Sequence, residues 1–394
     1  MENFHSFRSK CRENQRNRVW FVKVWRHGDR APEQTYPTDK HQENAWPNGF
    51  GELTEIGMRQ QYSLGRLIRE RYIDSVQHPL LSPTYEAEEI YVRSTDVNRT
   101  LVSAMANLAG MYPNGIIGED YPDAAKGDWP AHWTPIPVHT VKYETDHIGN
   151  AFAKCERASQ LGKQIRSSKL FQKYATDNEV SGDCLIYCRF LGMNRCKHSI
   201  AGYRTSSRLQ KQYNLSQPEW LTDEVAAKIL NLTEVSYKSV YGLLEPRVPE
   251  MIKLRGGSLL KAIVEKMNEK IRCAAADHQV DPSCDWMRPL KYYAYSAHDT
   301  TVSALLATLG NEEEVLKGKM PKYTASVAIE LWMTDTGPAV KILFRCAYRL
   351  KFHPITSLTP GCPTDSEFCP ISRFEKRSKE FMPVDIVAEC KPKS

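Results

Sequence analysis

Residues 19–32 read VWFVKVWRHGDRAP. The first seven residues, all β-branched or aromatic but for one Lys, form a run of buried-strand length that stops abruptly at Arg26, His27 and Arg30. Gly28 lets the backbone turn closely there, and Pro32 blocks simple continuation of a sheet. Further on, Thr54 can cap a helix in which Leu53, Ile56, Leu64, Leu67 and Ile68 recur at helical spacing. The order is strand, basic loop, helix.

Two later stretches repeat that order. EIYVR at 89–93 reads as a strand with Arg93 at its carboxyl end, and STDVNRTLVSAMANLAGMY after it reads as a helix with Ser94 or Thr95 as its cap. In KYYAYSAHDTTVSALLATLG the aromatic strand at 292–295 gives way to His298 and Asp299, then to a helix that Gly310 can end. Alternating strands and helices predict an α/β fold, a mainly parallel central sheet flanked by helices. Such sheets bind ligands in the crevice beyond the carboxyl ends of their strands. All three polar clusters fall there, beside helix N-termini whose amides favour an anion.

Between about residues 150 and 285 the texture becomes helix-rich, as in ASQLGKQIRSSKLFQKYA and DEVAAKILNLTEVSYKSVYGLL. The expected organisation is a discontinuous α/β domain, residues 18–150 and 286–394, interrupted by a smaller helical insertion domain at 151–285. SVAIELWM and VKILFRCAY supply the last strands.

Composition narrows the partners. Apolar residues at 41% and charged residues at 25% match a soluble globular chain. A net charge of +6 on 53 basic and 47 acidic side chains gives no reason to expect a nucleic-acid partner. No run approaches the roughly twenty apolar residues that cross a bilayer, so no membrane partner is expected either. MENFHSFRSKCRENQRNR has no apolar core, and no signal peptide is read there. Eleven cysteines without a CxxC pair point the other way, to an oxidising compartment. Cys362 and Cys369, in GCPTDSEFC, look like a local staple. Sequons at Asn214 and Asn231 fit secretion, whereas Asn98 falls in a predicted helix and is a poor acceptor.

A phosphate monoester needs a nucleophile in line with its leaving oxygen, a proton for that oxygen, and positive charge around the others. Arg26, Arg30 and Arg93 can supply the charge with His298 as a fourth donor, each Arg hydrogen bond being worth about 1.5–3 kcal/mol. The chain has no GxSxG elbow and no Cys followed by a phosphate-cradling loop ending in Arg. His27, between two arginines, is the candidate nucleophile, forming a phosphohistidine that water discharges. Asp299, adjoining His298, is the candidate proton donor. A free Asp titrates near about 3.9, so acidic solution should be preferred unless the site raises that value. His132, His139 and His147 lack metal-ligand spacing.

RHGDRAP (26–32), VRSTDVNRTLVSA (92–104) and YSAHDTT (295–301), together with LRGGSLL (254–260) and PGCPTDSEFCPISRF (360–374), resemble the histidine acid phosphatases of the animal prostatic and lysosomal kind. The resemblance covers most of the chain. It implies a large α/β domain beside a smaller helical one, His27 as phosphorylated nucleophile, Asp299 as proton donor, and Arg26, Arg30, Arg93 and His298 as phosphate binders. It also implies no metal or other cofactor, a Cys155–Cys390 bridge, a homodimer with Trp133 and His139 at its interface, and a secreted or lysosomal location. Cys184, Cys188, Cys196, Cys273 and Cys284 receive no pairing from it. The expected function is acid hydrolysis of small-molecule phosphate monoesters with broad specificity. The alternatives are a phytase-like inositol-polyphosphate phosphatase and a non-catalytic phosphate-binding protein of the same fold. Phytases usually carry Asn soon after the HD pair, where this chain has Thr300 and Thr301.

Overall fold

The computed structural model describes residues 17–179, 209–219, 221–275, 278, 280–347 and 350–393. Its strands are β1 (Asn17–Arg26), β2 (Ile90–Ser94), β3 (Tyr292–Ala297), β4 (Ser326–Thr334), β5 (Gly337–Arg345), β6 (His353–Pro354) and β7 (Cys369–Pro370). Its helices are α1 (Glu55–Tyr72), α2 (Asn98–Met111), α3 (Glu156–Arg166), α4 (Lys169–Glu179), α5 (Asp223–Tyr241), α6 (Pro249–Ala274), α7 (Asp299–Leu309), α8 (Glu312–Leu316), α9 (Ile371–Ser378) and α10 (Ile386–Glu389).

The sheet runs β2-β3-β1-β4-β5-β6, with β7 also on β5. The three strands that end in polar clusters are neighbours and mutually parallel: Arg26 lies in register with Ala297, and Ser94 with Ser296. Their carboxyl ends therefore share one rim. The rest of the sheet is antiparallel. Only Asp335 and Thr336 separate β4 from β5, a connection short enough for a hairpin and too short for a parallel crossover. The expected α/β layering is present, with its parallel part confined to the half that carries the site.

Successive residues of a strand face opposite sides of the sheet, and here both sides are covered. Phe21, Trp25, Ile90, Val92, Tyr292 and Ala294 meet Leu64 and Ile68 of α1 and Ala104, Leu108 and Met111 of α2. Trp20, Val22, Val24, Tyr293 and Tyr295 meet α6, through Leu260, Ile263, Val264 and Met267, and α7, through Val302, Leu305, Leu306 and Leu309. This double cover is why VWFVKVW is apolar throughout rather than alternating. Lys23 is the exception, fully buried with its amine 3.6 Å from the centre of the Phe352 ring.

Within 151–285 the helices do two different jobs. α3 packs through Ala158, Leu161 and Ile165 against Met251 and Leu254, and α5 through Tyr237 and Tyr241 against Ile252, Ala304 and Ala307. α6 does both: Met251, Ile252 and Leu254 in its first turns meet α3 and α5, and Leu259, Leu260, Ile263, Val264 and Met267 further along enter the core of the sheet.

Disulfides join Cys155 to Cys390 and Cys362 to Cys369. A third, between Cys273 at the end of α6 and Cys284 eleven residues on, gives these two cysteines a pairing that their sequence did not suggest. Cys346 is a free, partly buried thiol, and Cys11, Cys184, Cys188 and Cys196 lie outside the described residues. Asn214 is exposed in a turn at φ 54°, while Asn231 is exposed in the middle of α5. Among the described residues no helix is long and apolar enough to cross a membrane.

Candidate active site

The loop after β1 is locked to α1 by the absence of side chains. A Cβ on Gly28 would stand 2.3 Å from the Gly57 carbonyl oxygen, and one on Gly57 would stand 2.1 Å from that of Asp29. Thr54 caps α1 as its position in the sequence predicts, accepting from the Gly57 amide at 3.1 Å and donating to Asp29 Oδ2 at 2.7 Å. Asp29, completely buried, also accepts from Gln212 at 3.0 Å and Tyr213 at 2.5 Å. From the other side the Thr324 amide donates to the His27 carbonyl at 3.2 Å. Thr324 holds φ 61°, strained for a β-branched residue, and the buried Arg345 binds both its carbonyl and its hydroxyl.

His27 is buried, with its Nδ1 2.8 Å from the Gly28 carbonyl oxygen. A carbonyl only accepts, so Nδ1 carries the proton and Nε2 the lone pair. Burial, and then Arg26, Arg99, Arg30 and His298, hold the His27 pKa well below the ordinary imidazole range. The His298 ring stands 5.7 Å from that of His27, with its Nε2 3.0 Å from Thr95 Oγ1. Burial and Arg99, opposed by Asp299, bring His298 down to about 3.

Arg26 stacks over Tyr323, gives Nη1 to the Pro321 carbonyl at 2.7 Å, and pairs through Nη2 with Asp299 Oδ2 at 3.0 Å. Arg30 gives Nη1 to the Ala31 carbonyl at 2.9 Å. The buried Nε atoms of Arg26, Arg30 and Arg99 have no hydrogen-bond partner among the described residues. Three buried cationic donors around one imidazole suit an oxyanion with several acceptor oxygens. Burial pushes the Asp299 carboxyl up, but Arg26, Arg30, His298 and the Thr300 amide outweigh it and leave the pKa below the usual value.

A family model of the histidine phosphatase superfamily (branch 2) matches residues 20–345. The chain belongs to the histidine phosphatase superfamily. Prostatic acid phosphatase of Homo sapiens is 33% identical over 374 residues, covering 93% of this chain and 86% of that protein. Lysosomal acid phosphatase of Xenopus laevis is 33% identical, covering 94% and 78%, and testicular acid phosphatase of Mus musculus 34%, covering 93% and 80%. Among solved structures, the phytase of Hafnia alvei in its apo form shares the fold with a TM-score of 0.63 at 16% identity, covering 96% of this chain and 99% of that one.

In this histidine phosphatase, His27, Arg26, Arg30, His298 and Asp299 come together as their positions at strand ends predict. Arg93 does not join them. Its guanidinium is bound to Asp146 and bears on Lys266, Tyr293 and Tyr295. Arg99 joins instead. α2 starts at Asn98 after a cap residue, Val97, that makes no side-chain cap bond, so neither Ser94 nor Thr95 caps it and Arg99 falls in its first turn. Thr95 is turned to His298 instead. In the parallel register Arg93 stands level with Tyr295 and Val24, two residues short of Arg26, and Asp146 takes its guanidinium. Trp133 and His139 lie apart from the site. Trp133 is exposed and stacks on Trp129, and the exposed His139 stacks on Tyr91 while its backbone bonds to Val92 and Ser94 at the edge of the sheet.

Proposed function

We propose that this chain is an acid phosphatase that moves the phosphoryl group of small phosphate monoesters to Nε2 of His27 and then to water. The observation that carries the reading is the bond from His27 Nδ1 to the Gly28 carbonyl, which leaves Nε2 as a lone-pair nitrogen among three guanidinium groups with idle donors. In-line phosphoryl transfer asks little of a protein beyond positioning and charge. Arg26, Arg30, Arg99 and His298 hold the phosphoryl oxygens in this reading, with Arg99 replacing Arg93, and Asp299 protonates the leaving oxygen. Paired with Arg26, Asp299 is ionised before substrate arrives. The incoming negative charge offsets Arg26 and Arg30, the carboxyl rises, and acidic solution supplies its proton.

The test is rapid acid-quench trapping with radiolabelled p-nitrophenyl phosphate. Wild type should carry acid-labile label on protein and a His27→Ala variant none; normal turnover by that variant would remove the nucleophile. Asp299→Asn should still be labelled by this ester, whose leaving group needs no proton, yet lose roughly 10²- to 10⁴-fold in turnover of an alkyl phosphate. Equal losses on both esters would count against Asp299 as the acid.

Three further readings accompany this one. A homodimer is supported at the β2 edge, where a groove of about 340 Å³ lined by Tyr91, Ile136, His139 and Trp286 lies open. Sedimentation should give a dimer that Trp133→Ala weakens, and a wild-type monomer ends the idea. The disulfides support a secreted or lysosomal location, and Asn214, exposed in its turn, is the better glycan acceptor than the helical Asn231. A glycosidase should therefore shift the mass of the secreted wild type and not of Asn214→Gln, while an unshifted wild type counts against it. The separable helical unit is narrower than 151–285, comprising α3 to α5 with α6 assigned to the sheet domain; limited proteolysis that releases α6 together with α3–α5 would contradict that boundary.

A further inference from the structure

Glu33 stands three residues beyond Arg30 at the mouth of the site. A single carboxylate oxygen, Oε1, lies 2.8 Å from Nη2 of Arg99 and 3.4 Å from Nη2 of Arg30. Two of the three guanidinium groups that bear on His27 thus turn a terminal nitrogen to one anionic oxygen, the arrangement a phosphoryl oxygen would need in order to bridge them. The two sides of the contact differ in freedom. The Arg30 and Arg99 side chains are 9% and 14% exposed, and Arg30 is independently tied to the Ala31 carbonyl. The Glu33 side chain is 55% exposed.

We propose that Glu33 is an internal competitor for the phosphate site. Its carboxylate occupies Arg30 and Arg99 until the substrate displaces it, and once displaced it stays on the rim as a negative charge that disfavours leaving groups bearing a second anion. The proposal rests on the phosphatase reading above and adds a residue that sets affinity and leaving-group preference. A brace that holds the two arginines in place would have the opposite sign, because its loss would weaken phosphate binding.

The experiment compares wild type with Glu33→Gln and, as a second variant of shorter reach, Glu33→Asp. It measures the inhibition constant of inorganic phosphate and the KM and kcat for p-nitrophenyl phosphate and for fructose 1,6-bisphosphate. Removing a half-exposed ion pair should lower the phosphate inhibition constant and the KM for p-nitrophenyl phosphate by about threefold to tenfold. The KM for the bisphosphate should fall further still, and the change should appear in KM rather than kcat. Unchanged or weaker phosphate binding in both variants overturns the proposal and makes Glu33 a brace. Equal gains for the two esters overturn its second half. Phosphate binding followed by calorimetry keeps the role of Glu33 separable from the phosphatase reading, since an inactive wild type would sink that reading while the affinities still distinguish competitor from brace.

Discussion

A nucleophilic imidazole is useful in acid only if it stays unprotonated there, and the surroundings of His27 provide for that. Burial and Arg26, Arg99 and Arg30 all act against its cationic form. The kcat/KM of the enzyme should therefore show no loss centred near the ordinary imidazole value of about 6.5 as pH falls from 7 to 5. A pH–rate profile with a fall of tenfold or more across that window would contradict a neutral His27. The two arginines of RSTDVNR make a second comparison. Arg99→Ala should lose about 10- to 100-fold in kcat/KM, the worth of a charged hydrogen bond to phosphate. Arg93→Ala should leave kcat/KM within about threefold and lose stability instead, because it strands the buried Asp146. Steady-state kinetics and thermal melts of the pair decide between the two assignments.

The same contrast explains what the sequence revealed about the elements and what it withheld. β1 was legible because both of its faces are covered, which leaves an uninterrupted apolar run, and α1 because Thr54 sits where a cap must. Arg99 was not, since choosing it over Arg93 requires knowing that three residues intervene between β2 and α2 and that Asp146 takes the Arg93 guanidinium. The helix-rich texture of 150–285 suggests one insertion, whereas α6 within it also enters the core of the sheet. An amphipathic pattern records that one face is buried, not what buries it. Cys273 and Cys284 went unpaired for a similar reason, as spacing does not determine connectivity. The contact of α1 with the RHGDR loop yields a prediction of its own. Gly57→Ala inserts a carbon 2.1 Å from the Asp29 carbonyl oxygen and must push loop and helix apart. A displacement of about 1 Å at the nucleophile can reduce kcat by about 100-fold. Rates within threefold of wild type for this variant would show that the close approach does not matter.

On the scale of the whole molecule, β1, β4 and α1 are cross-linked by charge. Glu330, completely buried, accepts from Arg18 at 3.2 Å, from Arg71 at 2.8 and 3.1 Å, from Tyr72 at 2.8 Å and from Trp332 at 2.9 Å. Burial pushes its carboxyl up, but Arg71, Arg18 and Tyr72 prevail and its pKa lies below the usual value. A carboxylate depressed on folding contributes stability that is complete above its unfolded pKa and disappears as pH falls through the folded one. The network therefore persists in the mildly acidic range where the enzyme is expected to work. Glu330→Leu should lower stability by about 3–5 kcal/mol at pH 5, measured by denaturant melts, because Arg18 and Arg71 lose their counter-ion. A loss under about 1 kcal/mol, the worth of an exposed pair, would show that water reaches them. The covalent links set a different kind of order. Cys273–Cys284 and Cys362–Cys369 span 11 and 7 residues, whereas Cys155 pairs with a partner 235 residues downstream. Opening the long loop should therefore release more freedom in the unfolded chain than opening either short one, and loosen the hold of the C-terminal segment on the start of α3.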